Sequence, residues 1–267
     1  MDNGVSQEHL EYLSVLKRKT RLVKAAQILL CIGFFTFWEF AANLEIIDPF
    51  IFSKPSRVTN AAIEMAITGD LWVHIGVTLG ETVLSFILST ILGTVIAIIL
   101  WLSNFLRKTF NPYLVVLNAL PKIALAPIII TAIGINPRSV IFTALITSII
   151  VTILTVLTGF TEVSKDKIKL AQTFGANKYQ VLRMVVLPAS VPTIINALEI
   201  NIGLSFVGVI VGEYLVAKAG LGYLIVYSQQ TFRMERVMLS VIILGILSAF
   251  MYRAITVFEK RFLYRAV

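Results

Sequence analysis

Histidine and cysteine are almost missing from this chain: His9, His74 and Cys31 are all it has in 267 residues. A lone cysteine excludes an intramolecular disulfide, and two scattered histidines leave no metal-ligand spacing of the CxxC or HExxH kind. Charge is scarce as well, at 14% of residues, against about 25% in an average soluble domain. No GxxxxGK[ST] loop occurs, so the chain lacks that device for cradling nucleotide phosphates. Gly203-Leu204-Ser205 is not followed by the second glycine of a GxSxG elbow. Neither histidine falls within a long apolar segment as read here, which removes the base an intramembrane hydrolase would need. Little basis remains for an enzyme acting through its own residues.

What is present is oil, arranged in blocks. Hydrophobic residues make up 57% of the chain and the mean hydropathy is +0.87. The blocks are continuous rather than alternating, which argues for helices and against a membrane β-barrel. Each is long enough to cross a bilayer, which takes roughly 20 helical residues. Six spans are expected: Ala25–Leu44, Ile75–Leu102, Tyr113–Gly134, Ser139–Phe160, Thr193–Ala217 and Val237–Phe258. The fold class is therefore all-α, a polytopic membrane protein. Residues 1–24 read as a cytoplasmic N-terminal segment, too long and polar for a cleavable signal. Residues 25–267 read as one transmembrane domain. Between the first two spans, a short amphipathic helix is expected after Pro55, with Ser53 or Ser56 as its cap.

The net charge of +8 fits basic cytoplasmic loops better than nucleic-acid binding. With the N-terminus inside, the cytoplasmic side collects Lys17, Arg18, Lys19, Arg21, Lys24, Arg107, Lys108, Lys165, Lys167, Lys169, Lys178, Arg183, Arg253, Lys260, Arg261 and Arg265. Lys54, Arg57, Arg138, Lys218, Arg233 and Arg236 fall outside. That bias puts both termini in the cytoplasm. In the second span, Gly76 and Gly80 form a GxxxG pair and Ser85 and Ser89 repeat the spacing, a face suited to close helix packing.

Some residues resist the apolar pattern. Pro121 and Pro127 should each disturb the third span, either as a packing kink or as part of a wall of a transport path. Glu39 and Glu213 fall near outer ends. Glu81, Lys122 and Glu199 lie deeper, where an ionisable group facing lipid is costly. They are expected either to neutralise one another or to line a polar route. Used as an ion relay, these three would instead make the chain an ion-coupled secondary transporter.

The stretch 162–192 is the longest polar interruption, and its charge places it in the cytoplasm. A helix is expected over Lys165–Phe174 with Ser164 as cap, then a bend at Gly175. A second helical run over Asn177–Val186 is expected to stop at Leu187-Pro188. An ordinary helix–helix connection has about 2–8 residues, so this one looks built for docking.

At these residues the chain resembles the permease subunit of a bacterial ABC importer. That family carries E-A-A-x-x-x-G, then, after a spacer, an apolar residue, x and Leu-Pro. Here the pattern falls on Lys169-Leu170-Ala171, Gly175 and Val185-Val186-Leu187-Pro188. Ala171, Gly175 and Leu187-Pro188 match, while Lys169 and Leu170 depart. Ala119-Leu120-Pro121-Lys122-Ile123-Ala124-Leu125-Ala126-Pro127 is similar to a segment of the nitrate/sulfonate/taurine-type permeases. So are Gly212-Glu213-Tyr214-Leu215, Gly220-Leu221-Gly222-Tyr223-Leu224 and the closing Phe258-Glu259-Lys260-Arg261.

The resemblance implies a type I importer permease in a bacterial cell membrane, working as a homodimer. Two separate ATPase subunits would carry ATP and magnesium, and this chain would hold no cofactor. An extracellular or periplasmic binding protein would deliver the solute. Lys169, Leu170, Ala171, Phe174, Gly175, Ala176, Leu187 and Pro188 would form the ATPase-coupling loop. Glu81, Pro121, Lys122, Pro127, Glu199 and Glu213 would be candidates for the path. Relatives that carry sulfonates often have arginine where Glu81 and Glu199 stand. A glutamate near the path suits a neutral or cationic solute, such as a pyrimidine-like vitamin precursor; a sulfonate- or nitrate-like anion stays open.

Overall fold

The computed structural model describes residues 7–266, and the first six residues of the N-terminal segment lie outside the described residues. The protein is helical, with no strand among the described residues. Five helices are long and apolar enough to cross a membrane, and a sharply bent pair brings the number to six.

Helix α1, Gln7–Asn43, is one continuous rod that runs through the expected boundary at residue 24. Its membrane portion is barely covered, with Leu22, Ile28, Leu29, Leu30, Phe34 and Phe37 exposed. Its carboxyl end does have partners. Glu39 accepts from the backbone N–H and the hydroxyl of Ser56, both at 2.9 Å, and Asn43 accepts from Lys54 at 2.9 Å. Ser56 lies in the first turn of α3, Pro55–Thr68, so Glu39 caps that helix from outside. No side-chain cap comes from within, and the expected role of Ser53 or Ser56 as cap is not realised. A short turn, α2 (Pro49–Phe52), precedes it, capped by Asp48.

Gly69, at φ +88°, ends α3 and leads into α4, Asp70–Leu102. At about 1.5 Å per residue, α4 is longer than the roughly 30 Å hydrocarbon core, so it projects beyond it. Helix α5, Asn104–Ala119, breaks at Leu120-Pro121, and the chain turns by 88° into Lys122–Ile133. The expected third span is thus two half-helices rather than one kinked rod. Pro121 makes the corner, since it has no N–H to continue α5. Pro127 breaks nothing: it sits in the first turn of α6, Ala126–Ile133, where no N–H is required.

Helix α7, Pro137–Glu162, is capped by Asn136, whose Oδ1 accepts from Arg138 N at 2.9 Å. Then come α8 (Lys165–Thr173), α9 (Lys178–Val181), a π-turn (Leu182–Val186), α10 (Leu187–Ala189) and α11 (Val191–Val216). Two more helices close the chain, α12 (Leu221–Gln230) and α13 (Met234–Ala266).

Helices α4, α7 and α11 form the centre, and small residues bring them together. A Cβ added at Gly93 would lie 2.8 Å from the Thr152 side chain, one at Gly212 would lie 2.8 Å from Val140 Cα, and one at Gly208 would strike the Ala144 backbone. The packing pair is therefore Gly208/Gly212 on α11. At Gly76 and Gly80 a Cβ would meet nothing within 4 Å among the described residues, so that pair packs no helix of this chain. The Ser85 and Ser89 half of the stripe is buried. The α7 hydroxyls cost little to bury because each donates to its own helix: Thr143 to Ser139 O at 2.8 Å, Thr147 to Thr143 O at 2.8 Å, Ser148 to Ala144 O at 2.9 Å. Midway along, Asn201 joins α11 to α4, accepting from Ser89 at 3.1 Å and donating to Thr90 at 2.7 Å.

Candidate translocation and coupling sites

At one end of the core, Glu213 is 1% exposed and held on both oxygens. Thr78 Oγ1 donates to Oε1 at 2.7 Å and Gly222 N to Oε2 at 2.7 Å. Thr78 in turn accepts from Leu221 N at 2.7 Å, and His74 Nδ1 accepts from Gly220 N at 3.0 Å. The Gly220-Leu221-Gly222 turn is thus fastened to α4 and α11 through its backbone. Glycine is needed here: Gly220 has φ +113°, and a Cβ on it would overlap the Glu213 carboxylate. Glu213 is not the interfacial residue its nearness to a span end suggests. It is a buried anchor for the turn that starts α12.

Glu81 lies beside Glu213, 8% exposed. It lines a cavity of about 310 Å³ formed with Val77, Ile135, Asn136, Pro137, Val140 and residues 216–219. Glu81 does not meet Lys122 or Glu199, so the expected neutralising cluster is overturned. Lys122 curls back over the bend and donates to Asn118 O at 3.2 Å and Asn118 Oδ1 at 3.1 Å, a cation at the carboxyl end of α5. Glu199 is near α13, accepting from Tyr252 Oη at 3.5 Å and Thr256 Oγ1 at 3.4 Å. The single ion pair among the described residues is Arg236–Glu64 at 3.2 Å, linking α13 to α3. A relay through Glu81, Lys122 and Glu199 has no geometric basis. Pro121 and Pro127 are exposed on α5–α6, a face that also leaves Val115, Val116, Leu117, Ile123 and Ile128 uncovered.

At the opposite end lies the segment 163–190. Helix α8 ends in a Schellman-type turn: Ala176 N donates to Ala171 O at 3.1 Å while Gly175 takes φ +84°. That geometry explains the glycine in Ala-x-x-x-Gly. Ser164 occupies the N-cap position of α8 without a side-chain bond. A capping box starts α9: Gln180 N donates to Asn177 Oδ1 at 2.9 Å and Asn177 N to Gln180 Oε1 at 2.8 Å. The Asn-x-x-Gln spacing was the available signal for it.

The second run does not stop at Leu187-Pro188. A π-turn, with Leu187 N donating to Leu182 O, carries the helix past Pro188 into α10 and on to α11. The wider turn accommodates a residue that has no N–H to donate. Ser190 Oγ then donates to Gly159 O at 3.1 Å, tying this junction to α7.

One face of the segment is packed. Val181, Leu182 and Val186 are buried with Trp101, Val156 and Phe160, and Ile168, Ala171, Ala176 and Leu187 pack against them. Lys178 Nζ donates to Leu102 O at 2.8 Å, the carboxyl end of α4. The other face is bare and apolar: Leu170, Phe174 and Met184 are 60%, 83% and 73% exposed. They border a groove of about 490 Å³ with Lys167, Ala171, Val185, Pro188 and Ala189. Of the residues singled out from sequence, Leu170, Ala171, Phe174 and Pro188 come together here. Lys169 and Gly175 are exposed beside it, and Ala176 and Leu187 belong to the packed face. Sequence reading does not single out Met184 within the helical run expected over Asn177–Val186.

Known proteins match this architecture. The taurine transport system permease protein TauC of Escherichia coli (strain K12) is 24% identical over 260 residues, covering 94% of each chain. The riboflavin transport system permease protein RibX of Chloroflexus aurantiacus is 27% identical over 216 residues, covering 81% of each. Among solved structures, an inward-facing form of the MetNI methionine ABC transporter aligns with a TM-score of 0.61 at 18% identity, over 74% of this chain and 97% of that one. The fold is that of a type I ABC importer permease. Residues 89–264 match the family described as binding-protein-dependent transport system inner membrane component, and the chain belongs to that family, as a multi-pass permease subunit of an ABC importer.

Proposed function

We propose that the bare face of segment 163–190 docks into a separate ATPase subunit and couples ATP turnover to transport. The observation that carries this reading is the cluster of Leu170, Phe174 and Met184, bare and apolar on a segment outside the spans. An exposed apolar patch with a polar rim marks a protein contact, and the rim here is Lys167, Lys169 and Arg183. The packed face transmits force, because Val181, Leu182 and Val186 sit against the inner ends of α4 and α7.

The rest of the assembly follows the family. A second copy of this chain completes the path, an external binding protein delivers a small solute, and the ATPase holds ATP and magnesium. The uncovered faces of α1 and of α5–α6 are the surfaces left for the second copy and for lipid. The distribution of lysine and arginine supports a docking face and termini in the cytoplasm of a bacterial cell.

The test is coupling in a reconstituted importer. Phe174→Asp puts a charge in the centre of the apolar face, and Gly175→Arg adds bulk at a φ of +84°. Phe174→Asp should insert and melt like the parent, whereas Gly175→Arg also strains its own turn; neither should co-purify with the ATPase or support solute-stimulated ATP hydrolysis. Normal ATPase binding and stimulation in Phe174→Asp would overturn the assignment.

A further inference from the structure

The cavity at the outer ends of α4, α7 and α11 is lined by one acid, Glu81. Glu81 is more than nine-tenths buried, and its Oε2 has no hydrogen-bond partner among the described residues. Its neighbour Glu213, close enough to meet the Glu81 carboxyl, already has both oxygens taken by Thr78 and Gly222. Ser85 donates to the main-chain carbonyl of Glu81 and leaves the carboxylate alone. A buried carboxylate oxygen without a donor is a standing free-energy penalty, so an apolar or amide side chain would serve packing better at this place.

The cavity wall narrows what could satisfy that oxygen. Asn136 is already engaged, accepting from Arg138 N and donating to Ile133 O. Val77, Pro137 and Val140 are apolar. Lys218 lines the same cavity but is exposed, and makes no ion pair with Glu81 among the described residues. The volume, about 310 Å³, is at the lower end of the roughly 300–1,000 Å³ typical of small-molecule sites. What fits is a small organic solute whose nitrogen donates to Glu81 while its carbon skeleton rests on the apolar wall.

We infer that Glu81 is a recognition subsite for a protonated amine or amidine-type nitrogen on the transported solute. The inference rests on the importer reading above and adds the solute class. An anion lacking such a nitrogen would meet the adjoining Glu81 and Glu213 carboxyls there and be disfavoured.

The experiment is equilibrium binding by titration calorimetry on the permease in lipid nanodiscs. The probes are ethylammonium and ethanesulfonate, matched in carbon number and opposite in charge. The wild type should bind ethylammonium saturably and in preference to ethanesulfonate. Glu81→Gln should weaken ethylammonium about tenfold or more, as expected for loss of a hydrogen bond to a charged group. Glu81→Arg should invert the preference.

Absence of saturable ethylammonium binding, a wild-type preference for ethanesulfonate, or unchanged affinity in Glu81→Gln would overturn the subsite. If neither variant folds, the wild-type preference decides. The two proposals fail separately. A permease that stimulates its ATPase but shows no cation preference refutes the subsite. One that binds ethylammonium while Phe174→Asp still couples refutes the docking face.

Discussion

Replacing Gly212 or Gly208 by alanine should weaken the protein measurably, and the geometry sets the size. At Gly212 the new Cβ would lie 2.8 Å from Val140 Cα and 2.9 Å from its Cγ1. Relaxed carbon–carbon contacts fall at about 3.5–4.0 Å, so α7 and α11 must separate locally by roughly 1 Å. At Gly208 the obstacle is the Ala144 backbone, which cannot rotate aside. Overpacking of this kind costs about 1–3 kcal/mol. The two sites are one turn apart on the same face, so the double variant should cost less than the sum, because one separation relieves both clashes. Gly80→Ala is the control: nothing lies within 4 Å of its Cβ, and a helical Gly→Ala exchange there should gain about 0.5–1 kcal/mol. Reversible unfolding in mixed detergent micelles measures all four variants on one scale. Gly208→Ala as stable as the parent would show that α7 and α11 do not meet where the structure puts them. Gly80→Ala as damaging as Gly212→Ala would show that the open face of α4 is closed by contacts absent from this chain.

Two further substitutions probe the polar anchors. Glu213→Ala leaves the Thr78 hydroxyl and the Gly222 N–H without their acceptor, at about 1–3 kcal/mol for each buried group left unsatisfied. It should lower the unfolding midpoint and open the 217–222 turn to limited proteolysis, and unchanged cleavage there would refute its role as anchor. Asn201→Leu removes interhelical bonds to Ser89 and Thr90; such bonds average about 0.6 kcal/mol in membranes, with a maximum near 1.7, so micelle unfolding should show a small loss, and a loss of several kcal/mol would mean that Asn201 holds more than these two groups.

Span number and the helix–turn–helix of segment 163–190 were legible from sequence because their signals are long or local. A block of apolar residues is read by counting, and Ala171-x-x-x-Gly175 carries its own turn chemistry. The buried acids were less legible. Position near a span end made Glu213 look interfacial, and only the return of Gly220-Leu221-Gly222 over α4, nine residues from Glu213 to Gly222, supplies the donors that bury it. Grouping Glu81 with Lys122 and Glu199 assumed that charges in oil seek each other. Two of the three instead found a nearer solution: Lys122 a carbonyl one turn back, Glu199 two hydroxyls on α13. The small-residue stripe misled for the same reason. Gly76/Gly80 and Gly208/Gly212 have identical spacing, and only packing against α7 tells them apart.

The path of α11 bears on how the proposed docking face could act. From Lys178 to Val216 the chain is helical apart from Ser190, so one nearly unbroken element joins the docking groove to Glu213. It is fastened to α7 along its length, by Ser190 to Gly159 O at the inner end and by Gly208 and Gly212 against Ala144 and Val140 further out. Helix α4 is locked to the same pair through Gly93 against Thr152 and Ser89 against Asn201. Close-packed interfaces of this sort do not slide continuously. On the importer reading, a push at Leu170 and Phe174 therefore moves α4, α7 and α11 as one body. On the same reading, with a second copy completing the path, the change between inward-open and outward-open states falls where packing is sparse: between copies, about the uncovered faces of α5 and α6, with Pro121 at their corner.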